Sequence, residues 1–309
     1  MPSQKSPYEK WCEAISTRGL NNRPTCNLFS KQQQLPQVPP QQEQNDECDC
    51  GRLKRSHSYE GPPKSRSTTQ WNFYSCSAPM KNTKNFGILY HPYELYGTKF
   101  IRCATNALAE DLYNLICEDC SQQPSLIISI CGGEKYFKMN KRLEKEFMRG
   151  IIEAAKVADG WILTTGLNSG ITKLVGEAIL QDRILKSDSK DVVSIGFTKW
   201  GTLTKRTRDL LSEKFTRQEN CINYCENEDY EFPPEILETT DAYTIELHHT
   251  YMLLFDDGQL SGYLGDAQRQ IFGVLAPFYV AYRDQQQEEQ QKEQQEEQQE
   301  QSPLNKDEQ

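Results

Sequence analysis

Three short stretches of this chain hold small or acidic residues suited to lining a binding cleft. They are Gly132-Gly133 at the end of "PSLIISICGG", the run Thr165-Gly166-Leu167-Asn168-Ser169-Gly170, and Asp256-Asp257-Gly258. Glycine has no Cβ, so its backbone N–H can come close to a negatively charged ligand. Asn168 and Ser169 add donors, and a helix beginning near Ile171 would aim the positive end of its dipole at the same place. A phosphate or pyrophosphate suits such a set. The pattern is neither GxxxxGK[ST] nor a GxGxxG that opens a helix.

Other chemistry finds less support. The four histidines are His57, His91, His248 and His249, and none accompanies a recognisable nucleophile motif. Asp256 and Asp257 are acid–base candidates by type, but adjacent side chains diverge in an extended chain. No catalytic residue is assigned. Among the eleven cysteines, Cys48/Cys50, Cys117/Cys120 and Cys221/Cys225 are closely spaced. Only one pair has CxxC spacing, whereas zinc sites repeat it or add near histidines. Reduced thiols and no metal are the expectation.

The elements that must position these residues follow from apolar periodicity. Strand patterns occur at 71–76, 86–91, 99–104, 125–130, 160–165, 191–197 and 251–255. Helical patterns separate several of them. "ALAEDLYNLIC" sets Leu108, Leu112, Leu115 and Ile116 on one face. The helix from about Lys141 to Ala158 spaces Leu143, Phe147, Ile151, Ala154 and Ala158, with Asn140 as N-cap. The next helix carries Ile171, Leu174, Val175 and Ala178. Alternating strands and helices predict an α/β fold, an open parallel sheet covered on both faces. Ligands of such sheets sit beyond the carboxyl ends of the strands, where all three glycine-bearing turns fall.

Only 36% of the 309 residues are apolar, so the core must be concentrated. Residues 1–47 are rich in Gln and Pro and read as disordered, 48–282 as the domain, and 283–309 as a low-complexity Gln/Glu tail, either disordered or a solvated helix. That tail holds nine acidic and three basic side chains, hence −6 of the net charge of −9. The remainder is nearly neutral, which argues against a nucleic-acid partner. The longest apolar run, "IFGVLAPFYVAY" at 271–282, is about a dozen residues, and a spanning helix needs roughly 20. A soluble, cytoplasmic chain without a transmembrane segment is expected.

The segment from "PSLIISICGGEKYF" through "GLNSGITKLVGEAI" resembles the amino-terminal homology region of melastatin-type transient receptor potential (TRPM) cation channels. "CDCGRLKRSH" at 48–57, "KFIRCATNALAEDLYNLI", "KWGT" at 199–202 and "HTYMLLFDDG" at 249–258 fall in the family's order. The resemblance implies a Rossmann-like SLOG domain and a ligand-sensing or assembly role in a calcium-permeable channel, at the cytosolic face of the plasma membrane. It further implies ADP-ribose or a related nucleotide as ligand and sister channel subunits, a homotetramer in the family, as partners. It adds Tyr263, which fits the family's aromatic after Asp-Asp-Gly, and Asp266, its acidic residue. Arg269 stands one position out of register with the family's arginine. Thr165-Gly166 and Asn168-Ser169 stand where the family commonly has Gly-Gly and His-Thr. An independent nucleotide-binding protein or a SLOG-type nucleotide hydrolase is the alternative, but the enzymes' PGGxGTxxE motif is absent. The family's next strand and GGPGT turn do not follow Asp266. An open edge at strand 251–255 or a neighbour, and self-association, are therefore expected.

Overall fold

The computed structural model describes residues 7–20, 23–26, 77–80, 86–90, 97–132, 140–185, 191–205, 244–260 and 262–300, with single positions at 48, 50–51, 73, 207–208 and 211. Gly133, His57, His91, Cys221, Cys225 and most of 27–76 lie outside the described residues. The elements are α1 (Pro7–Thr17), β1 (Arg23–Cys26), β2 (Ser77–Met80), β3 (Phe86–Tyr90), β4 (Gly97–Ala104), α2 (Ala109–Cys120), β5 (Ile127–Ser129), α3 (Lys141–Val157), β6 (Trp161–Thr164), α4 (Gly170–Leu185), β7 (Val193–Lys199), β8 (Tyr251–Asp256), α5 (Asp266–Gln270) and α6 (Ala276–Glu300). A π-helical turn, Ile271–Leu275, joins the last two.

Six strands form one sheet in the order β3-β4-β8-β7-β6-β5. Only β3 runs antiparallel, against β4; the other pairs are parallel. The expected α/β open sheet is what the chain forms. Strands β6, β7 and β8 are buried along their whole length. Successive side chains of a strand point to opposite faces. Trp161, Leu163, Ile195, Phe197, Tyr251, Leu253 and Phe255 therefore meet α1, α2 and the α5–α6 helix on one side. Ile162 faces α3 and α4 on the other, and Met252 and Leu254 pack with Phe100 and Trp200.

Several placements differ from the sequence expectation. Strand 251–255 is not an edge: β8 sits between β4 and β7, and among the described residues β3 and β5 are the outer strands. The strand expected over 125–130 shortens to the three residues of β5, with Ile127 and Ile128 partly buried and Ser129 exposed. Within 71–76 only Phe73 is described, as helix, and the strand begins at Ser77, paired with β1.

Asn140 does cap α3, its side chain accepting from the Arg142 N–H at 2.9 Å. Yet α3 buries Met148, Ile152 and Ala155, while Leu143 and Phe147 face outward. Both sets keep helical spacing, so the period was right and the phase was not. Leu108 is exposed because α2 starts after it. Residues 7–20, expected to be disordered, instead bury Trp11, Ile15 and Leu20 in the core.

Pro277, inside the run 271–282, limits an unbroken helix because it supplies no N–H. Helical backbone nevertheless continues from Asp266 to Glu300. The π turn just before Pro277 makes the Ala276 N–H bond back to the Ile271 carbonyl, five residues earlier. This rearranges the carbonyls where Pro277 supplies no N–H. Phe272, Ala276 and Val280, spaced by four, then bury one face. Of the two forms open to the Gln/Glu tail, residues 283–300 take the helix.

Candidate functional site

Parallel pairing of β4 through β8 and β5 brings their carboxyl ends to one side of the sheet. The three glycine-bearing turns leave from that side. Hydrogen bonds knit two of them together through β7. The Thr198 hydroxyl donates to the Thr165 carbonyl. The next residue, Lys199, holds Asp257 with an Nζ–Oδ2 separation of 2.7 Å. Gly132 lies one strand farther out, after β5.

The loop after β6 is fixed from beneath. Gly166 has φ of +70°, and a Cβ there would lie 2.8 Å from Gly196 Cα and 2.6 Å from Met252 Cε. Only glycine fits that crossing. The Gly166 N–H donates to Thr164 Oγ1 at 2.9 Å. Thr164 Oγ1 is also 2.7 Å from His249 Nε2, whose Nδ1 is 2.5 Å from Glu246 Oε2. His249 is thus a satisfied core group. Its carboxylate partner lies against Gly176 of α4, where a Cβ would come within 2.0 Å of the Glu246 carboxyl carbon. The Asn168 N–H donates to the Thr244 carbonyl at 2.7 Å, and the Ser169 N–H to the Leu167 carbonyl at 2.8 Å. Gly170 opens α4 with φ of +50°.

The aspartates diverge as adjacent residues should. Asp256 is buried and binds Arg102, whose Nε is 2.8 Å from Oδ2. Arg102 in turn lies 3.9 Å over the Trp200 ring, an attractive cation–π geometry. The second Asp256 oxygen accepts from the Gly258 N–H at 2.8 Å, closing the turn. The Cys103 thiol beside this group is pushed up to about 12 by burial first and by the Asp256 charge second. Asp257 accepts from the Gln259 N–H at 2.9 Å in addition to holding Lys199. Thr202, in the KWGT stretch, donates to the Gly262 carbonyl at 2.6 Å, and the Cys50 carbonyl accepts from Leu260 at 2.8 Å. Tyr263, just beyond, is exposed.

Sequence reading missed the role of Arg102. Arg102 sits inside an apolar strand, and that interruption was the available signal. Arg269 is 3% exposed and reaches the first turn, with Nη2 3.1 Å from Cys131 Sγ. It also pairs with Asp266, while its Nε has no hydrogen-bond partner among the described groups. Its displaced register therefore does not remove it from the sheet edge. Gly132, with φ of +84°, is exposed next to Cys131. No cluster of three or more His, Cys, Asp or Glu suited to a metal occurs among the described residues.

Residues 98–272 match the family model described as "SLOG in TRPM". The chain is also similar to short stretches of channel proteins. The chain is 32% identical over 191 residues to a transient receptor potential cation channel subfamily M member-like 2 of Nematostella vectensis, covering 60% of this chain and 12% of that protein. It is 38% identical over 111 residues to subfamily M member 2 of Rattus norvegicus, covering 35% and 7%. With subfamily M member 1 of Mus musculus the figures are 28% over 249 residues, 76% and 14%. The chain thus spans a small fraction of the length of these relatives. No helix of the described residues is long and apolar enough to cross a membrane. With the family match covering more than half of the chain, and the sheet and its turns in the expected order, this protein belongs to the SLOG family of TRPM cation channels.

Proposed function

We propose that this chain is a ligand-sensing and assembly region of a TRPM-type cation channel, and that it takes an ADP-ribose-like nucleotide at the carboxyl edge of its sheet. The observation that carries the nucleotide is Arg269, a buried guanidinium with an unpartnered Nε beside the Gly132 turn. A buried cation with an unused donor is costly unless an acceptor arrives. A phosphate oxygen is the acceptor whose charge also suits a guanidinium. The α4 amino terminus at Gly170, with Asn168 and Ser169, offers the complementary end for a second anionic or hydroxyl group. Exposed Tyr263 supplies an aromatic face for a base or ribose.

Binding is favoured over turnover by the state of the acidic residues. Asp256 is tied to Arg102 and Asp257 to Lys199, so neither carboxylate is poised to activate water. The assembly role rests on the relatives, which are named as channel proteins. Sister subunits are the partners this implies, at the cytosolic face of a membrane.

Calorimetric titration of the purified chain with ADP-ribose tests the reading. A single saturable site is expected, weakened ~10–100-fold by Arg269→Gln through loss of a charged hydrogen bond. Absence of heat at millimolar ADP-ribose would overturn it.

A further inference from the structure

We propose that the outer edge of β5 is a homodimer interface, where a second copy of this chain pairs antiparallel and extends the sheet. Even-numbered residues bond inward to β6. The Leu126 carbonyl accepts from the Trp161 N–H, and the Ile130 N–H donates to the Leu163 carbonyl. The backbone groups of Ile127 and Ser129 therefore point outward, and no strand meets them among the described residues. Such an open row of N–H and C=O groups is a template for another strand.

The helices on both faces of the sheet turn apolar stripes toward this same side. On one face, Lys156 of α3 pairs with Asp182 of α4. Phe147 stands two and a half turns earlier on α3, so it points away from α4 and past the β5 edge. Leu143, one turn before it, is exposed as well. On the other face, a Cβ on Gly273 would touch Ile127 at 3.5 Å, and Phe272 meets Tyr113 of α2. Ile271, Leu275, Phe278 and Tyr282 keep helical spacing on the side turned from α2, and all four are exposed.

Symmetry and charge identify the occupant. A two-fold axis normal to the sheet sets Ile127 opposite Ser129 of the second copy and brings α3 to α3 and α6 to α6. Each apolar stripe is then covered by its own duplicate. The six side chains, each about half exposed, present on the order of 600 Å² per copy, against the ~800 Å² per partner of a standard interface. Residues 283–300 hold seven acidic and two basic side chains. Antiparallel pairing sends the two acidic tails in opposite directions, whereas a parallel partner would set like charges side by side. The pairing is independent of the nucleotide reading, since the test contains no nucleotide.

Sedimentation equilibrium of the purified full chain, up to about 100 µM, tests the interface. A reversible dimer of twice 35.7 kDa is expected. Phe278→Lys, at a position 66% exposed within one copy, should weaken it at least ~30-fold through loss of an aromatic anchor. Ser129→Pro removes an outward N–H that β6 does not use and should weaken it about tenfold. Ile184→Lys, an exposed change on α4 away from the edge, should leave the dimer as it is. A monomer at every concentration, which would assign the edge to a strand of another polypeptide, would overturn the proposal. So would a dimer indifferent to both Phe278→Lys and Ser129→Pro, or assembly that grows beyond two copies.

Discussion

Burial of the Cys103 thiol, with the Asp256 charge as a smaller cause, sets a property of the whole fold. Cys103 lies on β4 with no exposed surface, and Asp256 at the end of β8 is held by Arg102. Below about 8.5, the usual thiol value, Cys103 is neutral folded and unfolded, so its contribution to stability is complete. Between there and about 12 the unfolded thiol ionises while the folded one does not. Unfolding then releases a proton, and stability falls as pH rises. Cys103→Ala should flatten the alkaline limb by on the order of 1 kcal/mol per pH unit. Urea denaturation from pH 8 to 11 measures it, and parallel limbs for the two proteins would refute the assignment. At the same scale, the glycine turns were legible because glycine is a local signal. Arg269 entered only through the family resemblance, because its contact with Cys131 spans 138 positions of chain.

Among the elements, the helical run from Asp266 to Glu300 departs most from its sequence. Pro277 argued for a break, and the π turn before it let the chain continue. Gly273 brings that turn close to the sheet, where a Cβ would meet Leu163 Cδ1 at 3.0 Å. Phe272 enters the core there, 5.1 Å from the Phe197 ring and 5.8 Å from Tyr113. Val274, two residues on, is 68% exposed. Phe272→Ala should cost ~3–5 kcal/mol. Val274→Ala should stay within about 0.5 kcal/mol. Chemical denaturation of both variants checks the register of the helix, and equal costs would show it misplaced. α3 teaches the complementary lesson. Its two apolar stripes share one period, and only α4 and the sheet decide which is buried.

For the whole molecule, the unexpected participant is the amino terminus. Its polar composition suggested disorder, yet α1 packs Trp11 against Tyr251 of the central strand, with ring centres 5.7 Å apart. Ile15 is fully buried, and Arg18 pairs with Glu118 of α2. A helix with few apolar residues is stable here because the sheet covers those few. Trp11→Ala should lower the melting temperature by roughly 10 °C, the expected result of losing ~3–5 kcal/mol in a domain of this size. An unchanged melt would return the segment to the status of a loose tail. β8, expected to border an open edge, lies inside the sheet, so self-association through that strand loses its basis.

The sequence by itself determined the α/β class, the β3, β4, β6, β7 and β8 segments, the Asn140 cap and the side of the sheet on which the glycine turns gather. Each of these rests on local physics: side-chain period, a cap two residues from its donor, or the missing Cβ of Gly166. Tertiary structure alone decided the strand order with β8 central, the buried stripe of α3, the docking of α1 and the pairing of Arg102 with Asp256. Those outcomes join residues far apart in the chain, and several alternatives keep the same local pattern. The folded chain selects among them by which arrangement buries apolar area and leaves charged groups with partners.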